Sequence, residues 1–134
     1  MLEENKALVR RYYEQVMGDL SAIEEIVTDT FVDHHFPPEI PPGAQGVRKF
    51  FTFIAGVFSD MRIDIDFLLA EGDKVDCHFV LHARHTGEGL GVAPRGNAIK
   101  LPAISTFRIA DGKLAEGWEI FDSASLMQQM QAEA

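Results

Sequence analysis

The chain has 134 residues, is 46% hydrophobic and 25% charged, and carries a formal net charge of -9 at pH 7. That length suits one domain, 1–134, with a core of useful size, and the composition is that of an ordinary globular protein. The acidity argues against nucleic acid, because the basic residues are scattered and could not neutralise a run of phosphates.

The N-terminus, Met1-Leu-Glu-Glu-Asn-Lys6, is charged at once and lacks the apolar stretch a signal peptide needs. From about Glu3 to Met17, with Leu2 just ahead, the residues Leu2, Val9, Tyr12, Tyr13 and Val16 recur at helical spacing, with Gly18 as a stop. Ser21-Ala-Ile-Glu24 has the form of a capping box opening a short second helix, with Ile23, Ile26 and Val27 on its inner side. Phe31-Val-Asp-His-His-Phe36 reads as a short extended piece. Pro37-Pro38 and Pro41-Pro42-Gly43 then forbid regular structure as far as Gly46. Val47, Phe50, Phe51, Ile54 and Phe58 predict an apolar stripe on a third helix.

The second half changes period. Arg62 to Ala70 alternates Ile63, Ile65, Phe67 and Leu69 against Arg62, Asp64, Asp66 and Leu68, and Glu71-Gly-Asp-Lys74 is a turn. Val75, Cys77, Phe79, Leu81, Ala83 and His85 then share one face of a long strand. Cys77 is the chain's single cysteine, so it forms no internal disulfide and fits a reducing cytoplasm. Gly87 to Gly96 is a Gly/Pro-rich loop, read as flexible; it lacks the strand-turn-helix setting and the Lys of a phosphate loop. Ile99 to Ile109 alternates again, and Asp111-Gly112 predicts a tight hairpin. In the last strand Leu114, Glu116, Trp118, Ile120 and Asp122 point one way, and Ala115, Gly117, Glu119 and Phe121 the other. The first set carries Leu, Trp and Ile and is therefore expected to face the core, taking Asp122 with it. Ser123 to Gln131 predicts a last helical turn. Helices followed by a meander of long strands is an α+β layout.

These residues resemble the SnoaL-like polyketide cyclases, within the NTF2-like superfamily. The resemblance rests on Tyr12-Tyr13, Phe31-Val-Asp-His34, Gly46-Val-Arg48 before an aromatic helix, and Phe58-Ser-Asp-Met-Arg62. It continues through Glu71-Gly-Asp-Lys-Val75, His85-Thr-Gly87 with Leu90-Gly91, Pro94 with Gly96, Phe107-Arg-Ile109, Asp111-Gly-Lys113, and Trp118 with Asp122. It implies a cone with three N-terminal helices on a strongly curved antiparallel or mixed sheet, closed by a short C-terminal helix. It also implies an aldol-type cyclisation without metal or cofactor, in which Asp122 is the general base and His85 and His34 are polar partners. His35 beside His34 and the doubled prolines after it depart from the family's usual pattern.

The residues carry part of this chemistry unaided. Asp122 beside Trp118 and Ile120 would be partly desolvated and so a stronger base toward a carbon acid, although Asp is equally at home as the cap of the helix that follows. His85, ending a buried strand face, could donate to a developing enolate or orient the acid, or simply be a hydrogen-bonded core residue. His34 and His35 point oppositely in an extended chain, so only one can face inward. Tyr12 or Tyr13 could offer a phenol to a carbonyl, or only pack. Trp118, Phe50, Ile54, Phe58 and Tyr12, with His35, are the expected lining of a pocket for a small apolar molecule. No metal site is expected, since His78 and His82 lie roughly 13 Å apart along a strand and His85 is on the other face. The second reading is a non-catalytic binder of a small apolar ligand; a third is a ketosteroid-isomerase-like isomerase or hydratase using the same acid. A half-apolar outer sheet face, with Val80, Ile104, Thr106 and Phe121, predicts a homodimer through the sheet.

Overall fold

The computed structural model describes residues 1–16 and 18–132. Met17, expected near the end of the first helix, lies outside the described residues. Helix α1 runs Leu2–Val16 and seats Val9, Tyr12 and Tyr13 in the core. The expected capping box is replaced by an earlier cap. Asp19 accepts the Ser21 N–H (2.9 Å) to start a 3-10 turn, Leu20–Ala22, that runs into the short α2, Ile23–Ile26. Strand β1, Val27–Asp33, starts sooner than expected and stops before the two histidines. After the proline loop comes α3, Gly43–Val57, so Phe58 leaves the helix stripe and opens a strand.

Four long strands follow: β2 Phe58–Glu71, β3 Lys74–His85, β4 Ala98–Ala110 and β5 Lys113–Phe121, with α4, Ser123–Gln131, at the end. The sheet order is β1-β5-β4-β3-β2, with β1 parallel to β5 and every other pair antiparallel. The hairpin at Asp111-Gly112 has both φ positive, 53° and 72°, as a tight turn between twisted strands requires. No helix among the described residues is long and apolar enough to cross a membrane.

Two irregularities decide which side chains enter the core. In β2, Ile65 faces Phe79 but Phe67 faces His78, so Asp66 is an extra residue. In β5, Glu116 faces Arg108 but Leu114 faces Ile109, so Ala115 is extra. An extra residue reverses the inside–outside alternation beyond it. Met61, Ile63, Ile65 and Leu68 therefore pack inward, while Phe67 and Leu69 are exposed, contrary to the expected alternation. In β5 only Leu114 of the expected inward set is buried. Beyond Ala115 the inward set is Gly117, Glu119 and Phe121, and Ile120 is 76% exposed.

Two apolar clusters result. The larger joins α1, α2, β1 and the start of α3 to Val75, Cys77, Phe79 and Phe107. Phe107 meets the rings of Tyr12, Tyr13 and Phe31 at 5.4, 6.0 and 6.4 Å. Such aromatic pairs add about 0.5–1.5 kcal/mol each beyond the area they bury. The smaller cluster gathers Val57, Phe58, Ala83, Ile99 and Leu101 under Leu126 and Met130 of α4. Phe121 packs against both.

Candidate functional site

On the inner face, where β1 and β5 run side by side, two carboxylates and an imidazole meet. Asp33, at the end of β1, is buried and lies opposite Gly117. A Cβ at position 117 would stand 3.0 Å from the Phe107 ring and 3.1 Å from Asp33 Oδ2, so a glycine there leaves the carboxylate its place. The chain then turns, and Asp33 Oδ1 accepts the His35 main-chain N–H (3.2 Å) and lies 2.6 Å from His35 Nδ1. The other ring nitrogen of His35 is 3.4 Å from Glu119 Oε2. Glu119 projects inward from β5 opposite Ser105, whose hydroxyl oxygen accepts the Tyr13 O–H at 2.7 Å. The Tyr12 hydroxyl is buried and has no hydrogen-bond partner among the described residues. Phe50 of α3 stacks on Phe36 (4.1 Å) and meets the His35 ring edge-on (5.3 Å), closing the cluster from that side.

The electrostatics of this cluster follow from its burial. Desolvation pushes the Glu119 carboxyl up to about 7; the His35 charge opposes this and the Asp33 charge adds to it. Burial works against a charged His35, but the Asp33 hydrogen bond and the charges of Glu119 and Asp33 outweigh it and raise its proton affinity. Burial, then the charges of Asp33 and Glu119, hold the Tyr12 phenol well above its ordinary range, so it remains a hydrogen-bond donor. Glu119 can thus take or give a proton near neutrality, with an imidazole and a phenol close by. A cavity of about 380 Å³ opens between the end of β1 and the proline loop, lined by Phe31, Asp33, Phe36, Pro38, Ile40 and Val47 among others. Asp33 belongs to both the cavity and the cluster.

The family model for SnoaL-like polyketide cyclases matches residues 7–130. The chain belongs to the SnoaL-like polyketide cyclase family. No curated protein matches it. Among solved structures, one designated a SnoaL-like polyketide cyclase, from Jannaschia sp. CCS1, is 22% identical with a TM-score of 0.86, over 99% of this chain and 95% of that one. IdmH from Streptomyces antibioticus, designated a polyketide cyclase, is 26% identical with a TM-score of 0.81, over 96% and 99%. AclR from Streptomyces galilaeus, designated a hydroxylase, shares the fold at 24% identity and a TM-score of 0.74, over 97% and 82%.

This SnoaL-like domain scatters the site residues expected from its sequence. Asp122 is exposed; its Oδ1 accepts the Ser125 N–H (3.0 Å) and caps α4. The extra residue at Ala115 turns it outward, so the inward expectation fails for Asp122. Asp122→Ala is expected to cost about 1 kcal/mol in thermal or urea denaturation and to leave ligand binding unchanged. Trp118 lies on the outer face, opposite Thr106, and stacks on His34 at 5.4 Å instead of lining the interior. His34 is exposed too, its Nε2 2.6 Å from Glu116 Oε2, so His35 is the histidine that faces inward. His85 is fully buried on the expected face, but in the smaller cluster beside Phe58, with no bond to Asp122. Ile54 also packs against that smaller cluster, as does Phe58. Tyr12, His35 and Phe50 are the expected residues that meet at the inner cluster.

Asp33, Ser105 and Glu119 were not singled out from the sequence. Glu119 stood in the alternative face of β5 with Gly117 and Phe121, and only the register could promote it. Among the described residues no group of three or more His, Cys, Asp or Glu side chains is arranged to hold a metal ion.

Proposed function

We propose that this SnoaL-like domain is a cofactor-independent carbon-acid enzyme acting on a small apolar carbonyl compound, with Glu119 in the role the sequence had pointed toward Asp122. The carrying observation is geometric: the largely covered Glu119 carboxylate turns inward from β5 against His35, which Asp33 holds, and desolvation there raises it to about 7. A base works best when its proton affinity lies near the working pH. Glu119 removes the proton beside a carbonyl, and the Tyr12 O–H donates to the oxygen that gains charge. In an aldol-type cyclisation the enolate carbon then bonds to a second carbonyl carbon, and the resulting alkoxide takes the proton back. Asp33 holds His35, and His35 holds Glu119 in place. A ketosteroid-isomerase-like shift would use the same acid, with reprotonation at another carbon.

The cavity favours a second reading as well. Its aromatic and proline walls, with a single buried carboxylate, suit a small apolar molecule held without turnover. One experiment separates the two. Aromatic β-keto esters are incubated in D₂O, with exchange at the α-carbon followed by mass spectrometry and binding by thermal shift. A carbon-acid enzyme exchanges the proton at least about 100-fold faster than its Glu119→Gln variant. Equal rates with retained binding would leave the non-catalytic reading standing and sink the first.

The outer face supports self-association, and a cytoplasmic setting is part of the same proposal. Phe67, Ile104 and Ile120 form an exposed row across β2, β4 and β5, with His78 of β3 between them. Phe121, expected in that face, packs inward instead. Light scattering at micromolar concentration is expected to give twice the chain mass, and Ile120→Lys to give the monomer; a monomeric wild type would remove the dimer.

A further inference from the structure

We propose that α4 is a proton-released cover: it stays docked on the sheet while His85 is neutral and detaches when His85 takes a proton. His85 is fully buried, and neither ring nitrogen has a hydrogen-bond partner among the described residues. It ends β3 opposite Phe58, whose ring it meets at 5.8 Å, at the margin of the smaller apolar cluster. The buried polar or charged residues elsewhere, Asp33 and Ser105, belong to the inner site. Charged side chains on the adjoining segments are Asp60 on β2, Arg84 on β3, Glu88 and Arg95 in the loop, Lys100 on β4 and Asp122 before α4. All six are exposed, and none is bonded to the ring. The last two turns of α3 and the whole of α4 carry no charge.

A proton added to this ring would be a buried charge bonded to neither counter-ion nor acceptor among the described residues, which is among the most unfavourable arrangements in a folded chain. The cheapest relief is to let water reach the ring. The element best placed to yield is α4, held by Leu126 and Met130 and by two side-chain clamps. Gln129 Nε2 donates to the Lys100 carbonyl (3.0 Å), and its Oε1 accepts the Lys100 N–H (2.7 Å). Asn97 Nδ2 donates to the carbonyls of Gln129 (3.0 Å) and Ala132 (2.7 Å) at the end of α4. Asn97 is also tied to His85 directly, since its carbonyl accepts the His85 main-chain N–H at 2.9 Å. A movement that admits water to His85 therefore pulls on the residue that holds the helix. Release would also loosen Phe121, which touches both clusters, so the inner site would feel it.

The test is hydrogen exchange of the α4 amides from pH 8 to 5, corrected for intrinsic chemical rates. Once exposed, an imidazole binds a proton near pH 6.5, so the opening constant of α4 should rise about tenfold per pH unit below about 6. His85→Leu should flatten that slope, and Glu119→Gln should retain it, which separates this proposal from the catalytic one. Should His85→Leu fail to fold, His85→Phe, which also removes the titrating nitrogens, is read in the same way, and the wild-type ring followed by NMR should stay neutral while α4 remains docked. A flat α4 profile, an unchanged slope in His85→Leu, or a ring that titrates beneath a still-protected helix would each overturn the proposal.

Discussion

Glu119→Gln is expected to abolish turnover and at the same time to flatten the stability of the fold against pH. The sign follows from the raised proton affinity. A Glu with an ordinary value of 4.5 when unfolded and about 7 when folded holds a proton in the native state that the unfolded chain has already released between those limits. Stability therefore falls as pH rises from 4.5 to 7, by about 3 kcal/mol across the window. His35, whose proton affinity is also raised, adds a further loss as pH climbs through its folded value. Glutamine removes the first of these and keeps the volume and a polar end. Urea denaturation at pH 5, 6, 7 and 8 should show a slope in the wild type that is largely missing in the variant. At pH 8 the variant should be the more stable of the two. An identical pH dependence in both proteins would mean that Glu119 is solvated like any surface acid, and the mechanism would lose its base.

Asp33→Ala should destabilise the fold by about 3 kcal/mol, since it leaves a largely covered imidazole and a main-chain N–H without their acceptor. The loss should be greater at pH 6 than at pH 8. At the lower pH His35 carries a proton and Asp33 is its bonded counter-charge; as pH rises through the folded value of His35, that contribution disappears. Asp33→Asn keeps an acceptor for the ring but not the charge, so its loss should be smaller and less dependent on pH. Asp33 lines the cavity, so both variants should also weaken binding of an apolar carbonyl compound. A loss below about 1 kcal/mol at pH 6 would place Asp33 among ordinary surface ion pairs.

These two effects concern residues that the sequence did not single out, and the reason is local. Alternation along a strand reports only which side chains share a face, and it holds until one residue too many enters. The face of β3 from Val75 to His85 was legible because that strand pairs with β4 without interruption. Leu114 to Asp122 was not, because the extra Ala115 leaves no mark in composition, and both faces offered acids, Glu116 and Asp122 on one and Glu119 on the other. Trp118 and Ile120 made the wrong face look buried, yet both lie on the outer surface of the sheet.

The order of elements, the α+β class, the family and the prolines that open a cavity beside β1 were all written in the chain, because they depend on local spacing and on what proline and glycine forbid. Which acid faces inward, which of two adjacent histidines joins it, and that Asp122 caps a helix were settled by the pairing of β5 with β1 and β4. The pairing of β1 with β5 joins residues far apart in the chain, as where Asp33 lies opposite Gly117, and local periodicity carries no information across such a distance. A one-residue shift in register costs the sequence pattern nothing, yet it moves every side chain beyond it to the opposite side of the sheet.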